Sequence, residues 1–479
     1  MELRTQLLIG GEWCDGADRF PTINPATEET IAEVEEAGPE QVDAAVRSAR
    51  AAFEDPKWRN MSPHKRAQLL WRLGELVTEH ADEIAAVETR DNGKTLFESG
   101  KVDIPFVAQN FRYYAGWADK LGGQTIPVPG PFFNYTLREP LGVVGAIVPW
   151  NFPLNLASWK VAPALAAGNS VVLKPAEETP LTALLLGELA LEAGFPPGVL
   201  NVIPGRGPTT GAALVGHPDV DKISFTGSTE TGRIVMKTAA DTLKKVTLEL
   251  GGKSPNVVFA DADLDAAARG ALNGIFYGKG EVCAAGSRLL VEESVREPLM
   301  ERLLAGAAKM TPGDPTDPKT RLGALVSKAQ HERVLGYIDA GVREGAELVC
   351  GGEAASVDGR GYFVQATVFD RVEDEMTIAR EEIFGPVLAV MGFEDLDGAI
   401  ERANRTIYGL AAGVWTRDVG KAHRFAREVR AGTVWVNTYN IYGSGSPFGG
   451  YKQSGFGRDL GEQALEEYTQ TKSVWVALD

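Results

Sequence analysis

The sequence predicts an α/β protein made of two doubly wound parallel-sheet domains and a small β arm. Three observations carry this. The chain has 479 residues, too many for one ordinary core. Short β-branched runs alternate with helical patterns in two successive series, and the runs are apolar on both faces. Two further segments, one proline-rich and one at the C-terminus, belong to neither series.

Taken in order, the segment up to about residue 118 reads as mostly helical, for example at 39–53 and 63–90, and flanks the first sheet. Residues 124–139 are proline-rich and then strand-like. The run GVVGAIV at 142–148 opens the first alternation. A helix over 156–167, a strand at 170–173 and a helix at 181–193 follow, then strands at 200–203, 223–225 and 246–248. The second series has strands at 257–259, 289–291, 388–390 and 434–436, with helices such as 263–276 and 295–310 between them. The tail KSVWVAL at 472–478 is an apolar strand at a terminus, and such an edge needs a partner strand. The expected division is 1–119 with 141–249, then 250–445, with 120–140 and 446–479 forming an oligomerisation arm. The other reading of these two pieces is that they cover their own domain.

Hydrophobic residues at 44% and charged residues at 24% give an ordinary globular balance. A net charge of −17 argues against nucleic acid as a partner. No basic stretch followed by a long apolar run marks a signal peptide, and no apolar stretch is long enough to span a bilayer, so a cytoplasmic setting without a membrane partner is expected. Cysteine occurs only at Cys14, Cys283 and Cys350, without metal-ligand spacing, which suits a reducing compartment and predicts no metal site.

Two glycine patterns are decoys. GGKS at 251–254 imitates the end of a phosphate-binding loop, but that loop needs glycine where Thr247 stands and a helix where Pro255 stands. Residues 205–211 (GRGPTTG) have one residue too many for a dinucleotide fingerprint. FTGSTETG at 225–232 is better placed, after a strand and opening a helix, where backbone N–H groups can face an anion. The hydroxyls of Ser228 and Thr229 can bond a phosphate or simply cap that helix. Cys283 sits among Gly278, Gly280, Ala284, Ala285 and Gly286, which leave room at the sulfur. Glu249 and Asn151 each stand at a strand end, where side chains commonly face the ligand crevice. A solvated loop carboxylate and a turn-closing amide are the plainer readings.

Together these residues resemble the aldehyde dehydrogenase superfamily, of the hydrolytic rather than CoA-acylating type. The resemblance rests on PWNFP at 149–153, KPAE at 174–177, FTGS at 225–228, LELGG at 248–252, Gly280 with Cys283, EEIFGP at 381–386 and PFGGYKQSG at 447–455. The 34-residue separation of Glu249 and Cys283 is also the family's. It implies an NAD-binding domain, a catalytic domain and a bridging arm that builds homodimers or homotetramers. It also implies a reaction: Cys283 attacks an aldehyde, Asn151 and the Cys283 N–H stabilise the oxyanion, and hydride leaves to NAD. Glu249 then activates water against the thioester.

Position by position, the resemblance places Trp150, Gly227 and Ser228 near the cofactor pyrophosphate and Lys174 and Glu177 at the adenosine ribose. Gly207 falls on the adenine side, and Glu382 and Phe384 at the nicotinamide. A carboxylate at Glu177 favours NAD over NADP. The implied substrate funnel holds Phe152, Leu156, Trp159, Tyr442 and Phe448, with Val282 and Ala284 flanking the sulfur. That lining suits a medium-to-large apolar or aromatic aldehyde, with betaine aldehyde or another aminoaldehyde as the alternative. A CoA-acylating enzyme, disfavoured by Glu249, and a catalytically silent homologue, disfavoured by Cys283, Glu249 and Asn151 together, are the remaining readings. The family usually carries asparagine at Gly278 and glutamine at Glu281. A carboxylate at Glu281, if close to Cys283, would raise the thiol pKa and act as a modulator.

Overall fold

A computed structural model describes residues 3–478; residues 1, 2 and 479, at the ends of the expected ranges, lie outside the described residues. The first sheet has a parallel centre in the order Leu200–Val202, Ser170–Lys174, Val143–Ile147, Lys222–Thr226, Lys245–Glu249. The last three of these strands lie side by side, and the strand order reverses between Val143–Ile147 and Lys222–Thr226. A crevice therefore opens beyond their C-terminal ends, where Trp150, Asn151, Gly227 and Ser228 follow. Val143–Ile147, Ser170–Lys174 and Lys222–Thr226 are buried at every position, as helices on both faces require.

The second sheet is built the same way. Its parallel strands run Thr367–Asp370, Val387–Phe393, Arg288–Glu292, Pro255–Val258, Ala411–Trp415, Thr433–Val436, with Glu347–Cys350 antiparallel at one edge. The third sheet is antiparallel and has three strands, Thr469–Ala477, Phe132–Pro140 and Thr125–Ile126. This is the α/β architecture with a small β arm that the sequence predicts.

Helix Pro153–Ala167 connects the crevice to the core. Proline at its first position and the left-handed Gly168 (φ +95°) at its end fix its limits. All but one of its residues are buried, because the sheet lies on one side and helix Ile104–Ala115 on the other.

The N-terminal region departs from the mostly helical expectation. Leu7–Ile9 and Glu12–Cys14 extend the first sheet, and Asp18–Asn24 pairs with Glu29–Glu36 as a hairpin. These strands are short and partly exposed, so they lack the apolar runs that mark a central strand. The single helix expected over 63–90 is two, Pro63–Glu79 and Ala81–Asn92, because His80 (φ −103°, ψ +17°) leaves helical geometry. At the other end, Gly455–Phe456 pairs with Lys245–Glu249 in the first sheet, so within 446–479 only Thr469–Ala477 forms a strand of the arm sheet.

Candidate active site

Three neighbouring strand ends of the first sheet deliver the polar groups. Asn151 follows Val143–Ile147, Gly227 and Ser228 follow Lys222–Thr226, and Glu249 ends Lys245–Glu249. The thiol comes from the second domain, on the loop between helix Leu264–Phe276 and strand Arg288–Glu292. That loop turns sharply through three consecutive left-handed residues, Gly278 (φ +57°), Lys279 (φ +60°) and Gly280 (φ +72°). A side chain at Gly280 would strike the Gly385 carbonyl, which ties the loop to the EEIFGP segment. Gly278 occupies a left-handed conformation that asparagine, the residue the resemblance leads one to expect there, also tolerates.

Two cavities meet at the sulfur, and Cys283 lines both. One, of 510 Å³, is bounded by Trp150, Asn151, Gly227, Ser228, Glu249, Glu382 and Phe384. The other, of 290 Å³, is bounded by Phe152, Leu156, Trp159, Val282, Tyr442 and Phe448. Most of the residues named in the sequence thus converge. Lys174, Glu177 and Gly207 lie outside the larger cavity. Lys174 donates to its neighbour's carbonyl on Pro175 (2.7 Å) and stands 3.6 Å from Glu177, while Gly207 is exposed. Ala284 does not line the smaller cavity as expected. The chain turns after Cys283, so Ala284 is fully buried and its carbonyl accepts from the Tyr439 hydroxyl (2.9 Å).

The larger cavity has the marks of an anion and nucleotide cradle. Ser228 caps helix Thr229–Ala239 by accepting from the Thr231 N–H (3.1 Å), so its hydroxyl serves the helix whose positive end faces the cavity. A side chain at Gly227 would run into the Phe225 ring, which keeps the backbone bare there. The Thr226 hydroxyl is buried in the wall without a partner. Glu382 accepts the Gly252 N–H (2.9 Å); burial pushes its carboxyl up to about 7, against the pull of that N–H, Lys253 and Arg333. The GGKS decoy therefore binds a carboxylate, and a strand, Pro255–Val258, follows it directly. Phe384 holds a left-handed backbone (φ +61°) and meets Trp150 edge-on at 5.2 Å.

Both carboxyl oxygens of Glu249 are buried without hydrogen-bond partners. Burial and then Asp459 raise its pKa well above the carboxylate range, while Lys160 and Arg458 pull it down. Lys160 and Asp459 form a buried ion pair nearby (3.0 Å). The Cys283 thiol is pushed up to about 12, chiefly by burial and then by Glu382 and Glu249; backbone N–H groups oppose this. Asn151 donates one Nδ2 hydrogen to the Glu281 carbonyl (2.9 Å), leaving its second.

Glu281 does not fit the modulator expectation. Its carboxylate is buried against Lys279 (2.9 Å) and accepts the Val326 N–H (3.0 Å), so the carboxylates that raise the thiol are Glu382 and Glu249.

The smaller cavity is aromatic. Trp159 meets Phe448 at 5.4 Å and Tyr442 at 6.2 Å, and Phe152 stacks on Tyr277 at 6.2 Å. Phe106, Tyr277, Asp103 and Asn155 also line it and were not found from the sequence. Tyr277 directly precedes the glycine loop, the one signal that pointed to it. Phe106 sits on a helix with no motif. Asp103 is the only carboxylate in this wall, and it is held by Lys94 (2.5 Å) and the Tyr277 hydroxyl (3.2 Å).

Two doubly wound sheets facing each other across a thiol, with a nucleotide-type crevice on one side and an aromatic funnel on the other, define an α/β oxidoreductase. The chain belongs to the aldehyde dehydrogenase family, whose model matches residues 13–474. It is 52% identical over 475 residues to the mitochondrial aldehyde dehydrogenase of Homo sapiens, covering 98% of this chain and 92% of that one. The NAD+ complex of an aldehyde dehydrogenase from Bacillus cereus superposes with a TM-score of 0.98 at 50% identity, covering 100% of this chain and 97% of that one. The P. syringae indole-3-acetaldehyde dehydrogenase AldA, solved with NAD+ and IAA, gives a TM-score of 0.98 at 46% identity over 100% of this chain and 97% of its own. The protein is thus an oxidoreductase of aldehydes. Among the described residues, no helix is long and apolar enough to cross a membrane.

Proposed function

We propose that the protein oxidises a medium-to-large apolar or aromatic aldehyde to its carboxylic acid, with NAD as the cofactor and Cys283 as the nucleophile. The observation that carries this is the position of Cys283 as the one residue shared by the two cavities, with Asn151 and Glu249 on the cofactor side. The 510 Å³ cavity fits a dinucleotide: a bare backbone at Gly227, a helix N-terminus, the unpartnered Thr226 hydroxyl and a half-buried Glu382 carboxyl. Trp150, Gly227, Ser228, Glu382 and Phe384 would hold it, with Lys174 and Glu177 at the adenosine end. Glu177 disfavours a 2′-phosphate and so NADP. When bound, NAD supplies the hydride acceptor that no side chain provides.

The Cys283 sulfur adds to the aldehyde carbon, and its proton leaves to solvent or to a carboxylate. The alkoxide that forms takes the second Asn151 N–H and the Cys283 backbone N–H, each such donor being worth about 3 kcal/mol of barrier. Loss of hydride leaves an acyl thioester on Cys283. Glu249, once deprotonated, takes a proton from water, and the hydroxyl attacks the thioester carbon and expels the thiolate. Because burial raises the Glu249 pKa, hydrolysis should gain rate as pH rises and the carboxylate form becomes more populated. Asp103 is already paired with Lys94, so no free carboxylate in this wall is left to bind an ammonium, which favours an uncharged aldehyde over a cationic aminoaldehyde. The exposed arm sheet serves assembly into a homodimer or homotetramer.

The test is direct. Cys283→Ala should abolish NADH formation, and Glu249→Gln should give one equivalent of NADH per subunit and then stall with a trapped thioester. Steady turnover by Cys283→Ala would end the reading. A kcat/KM series over aliphatic, aromatic and aminoaldehydes checks the substrate class, and a preference for the aminoaldehydes would reverse it.

A further inference from the structure

The thiol loop and the Asn151 turn are joined by a closed ring of buried hydrogen bonds and one ion pair. Asn92, the last residue of helix Ala81–Asn92, donates its Nδ2 hydrogen to the Trp150 carbonyl (2.7 Å). The Lys279 ammonium donates to Asn92 Oδ1 (2.7 Å) and to the Asn92 carbonyl (3.1 Å), and stands 2.9 Å from Glu281 Oε2. Glu281 Oε1 accepts the Val326 N–H (3.0 Å), while the Glu281 carbonyl accepts from Asn151 Nδ2 (2.9 Å). Asn151 follows Trp150 in the chain, which closes the ring. Asn92, Asn151, Lys279 and Glu281 are all buried.

Lys279 is the costly member. It holds a left-handed backbone between two glycines that share it, a conformation a long side chain keeps only where its surroundings impose it. Two of its N–H donors bond Asn92, and the ammonium is paired with Glu281 Oε2 at 2.9 Å, so the buried charge is compensated. The consequence falls on the Asn151 amide. With one hydrogen pinned by the Glu281 carbonyl, the Nδ2 side faces the thiol loop. An amide turned over would present its oxygen to the developing alkoxide and repel it.

We propose that Lys279 is a positioning residue, locking the loop that carries the Glu281 carbonyl and, through that carbonyl, the orientation of the Asn151 amide beside Cys283. This rests on the reading of Cys283 as nucleophile and Asn151 as oxyanion donor. The test is a double-mutant cycle on the full chain with NAD and a fixed aromatic aldehyde. Lys279→Met should lower kcat by roughly 10- to 100-fold, as a misplaced catalytic group does, with the aldehyde KM and NAD affinity within about twofold of wild type. In an Asn151→Ala background the same change should cost almost nothing, because the group it positions is gone. Lys279→Gln, which keeps a neutral donor for Asn92, should recover most of the rate and repeats the cycle if the methionine variant does not fold. Penalties that multiply independently in the double variant would overturn the role of Lys279. Cys283→Ala run alongside separates the two claims: turnover there overturns the reading itself, whereas a dead Cys283→Ala with independent penalties overturns only the positioning role.

Discussion

The thiol at Cys283 is raised by its burial and by two carboxylates, Glu382 and Glu249, rather than by the carboxylate two residues before it. Glu281 spends its charge on Lys279. The sign is definite: a raised pKa keeps the sulfur protonated at neutral pH, so alkylation by iodoacetamide should accelerate into the alkaline range. Removing a nearby negative charge must lower the midpoint of that profile. Glu382→Gln is therefore expected to move it down by about one pH unit, since an adjacent charge of like sign disfavours the thiolate. Glu281→Gln should leave it in place. A profile unchanged by Glu382→Gln, or lowered by Glu281→Gln, would return the modulating role to Glu281.

At the scale of elements, the loop 278–280 shows what a sequence can and cannot disclose. Its glycines announce a turn, yet Lys279 between them looks like a solvated charge, and only the fold reveals it as buried and left-handed. Gly280→Ala should cost more than about 1 kcal/mol in denaturant unfolding and remove most activity, because its conformation and the Gly385 carbonyl both refuse a methyl group. Gly278→Asn should fold and keep most of its turnover, since asparagine tolerates the same conformation and the Val282 methyl at 3.1 Å from its Cβ need yield by only a few tenths of an ångström. Equal losses from both would mean that room, not backbone shape, governs the loop. The central strands were legible because both faces are buried and the residues are β-branched, as at 142–148. Ala411–Trp415 was not: its alanines and glycine have little strand propensity, and its place between Pro255–Val258 and Thr433–Val436 decides its conformation. The site divides in the same way. Cys283, Glu249 and Asn151 stand in contiguous motifs at strand ends or on a glycine loop. Phe106 and Asp103 reach the funnel only because helix Ile104–Ala115 packs against Pro153–Ala167 and is preceded directly by the π-helical turn Ser99–Asp103.

Across the whole molecule, the strand Thr469–Ala477 is the edge that the proposed assembly has to cover. It pairs along its full length with Phe132–Pro140, leaving its other edge open. Trp475 is 58% exposed, and Val476, Phe132 and Phe133 are exposed beside it. An open edge with apolar side chains templates uncontrolled pairing unless a defined partner covers it. The strand is also hung on a firm anchor: Tyr468 is buried, its hydroxyl 3.0 Å from Ser224 Oγ and its carbonyl accepting from Asn169 (3.0 Å). The arm therefore hangs from a rigid base, and the proposed assembly would lay a neighbouring subunit over its exposed edge. Trp475→Glu places a charge where that contact would bury an aromatic anchor and should raise the subunit dissociation constant by at least about 100-fold. Light scattering should then report a smaller species whose circular dichroism is unchanged, because Tyr468 and the first sheet keep their contacts. Truncation after Tyr468 should do the same. If both variants keep the wild-type mass, the arm covers its own domain and the assembly surface lies elsewhere.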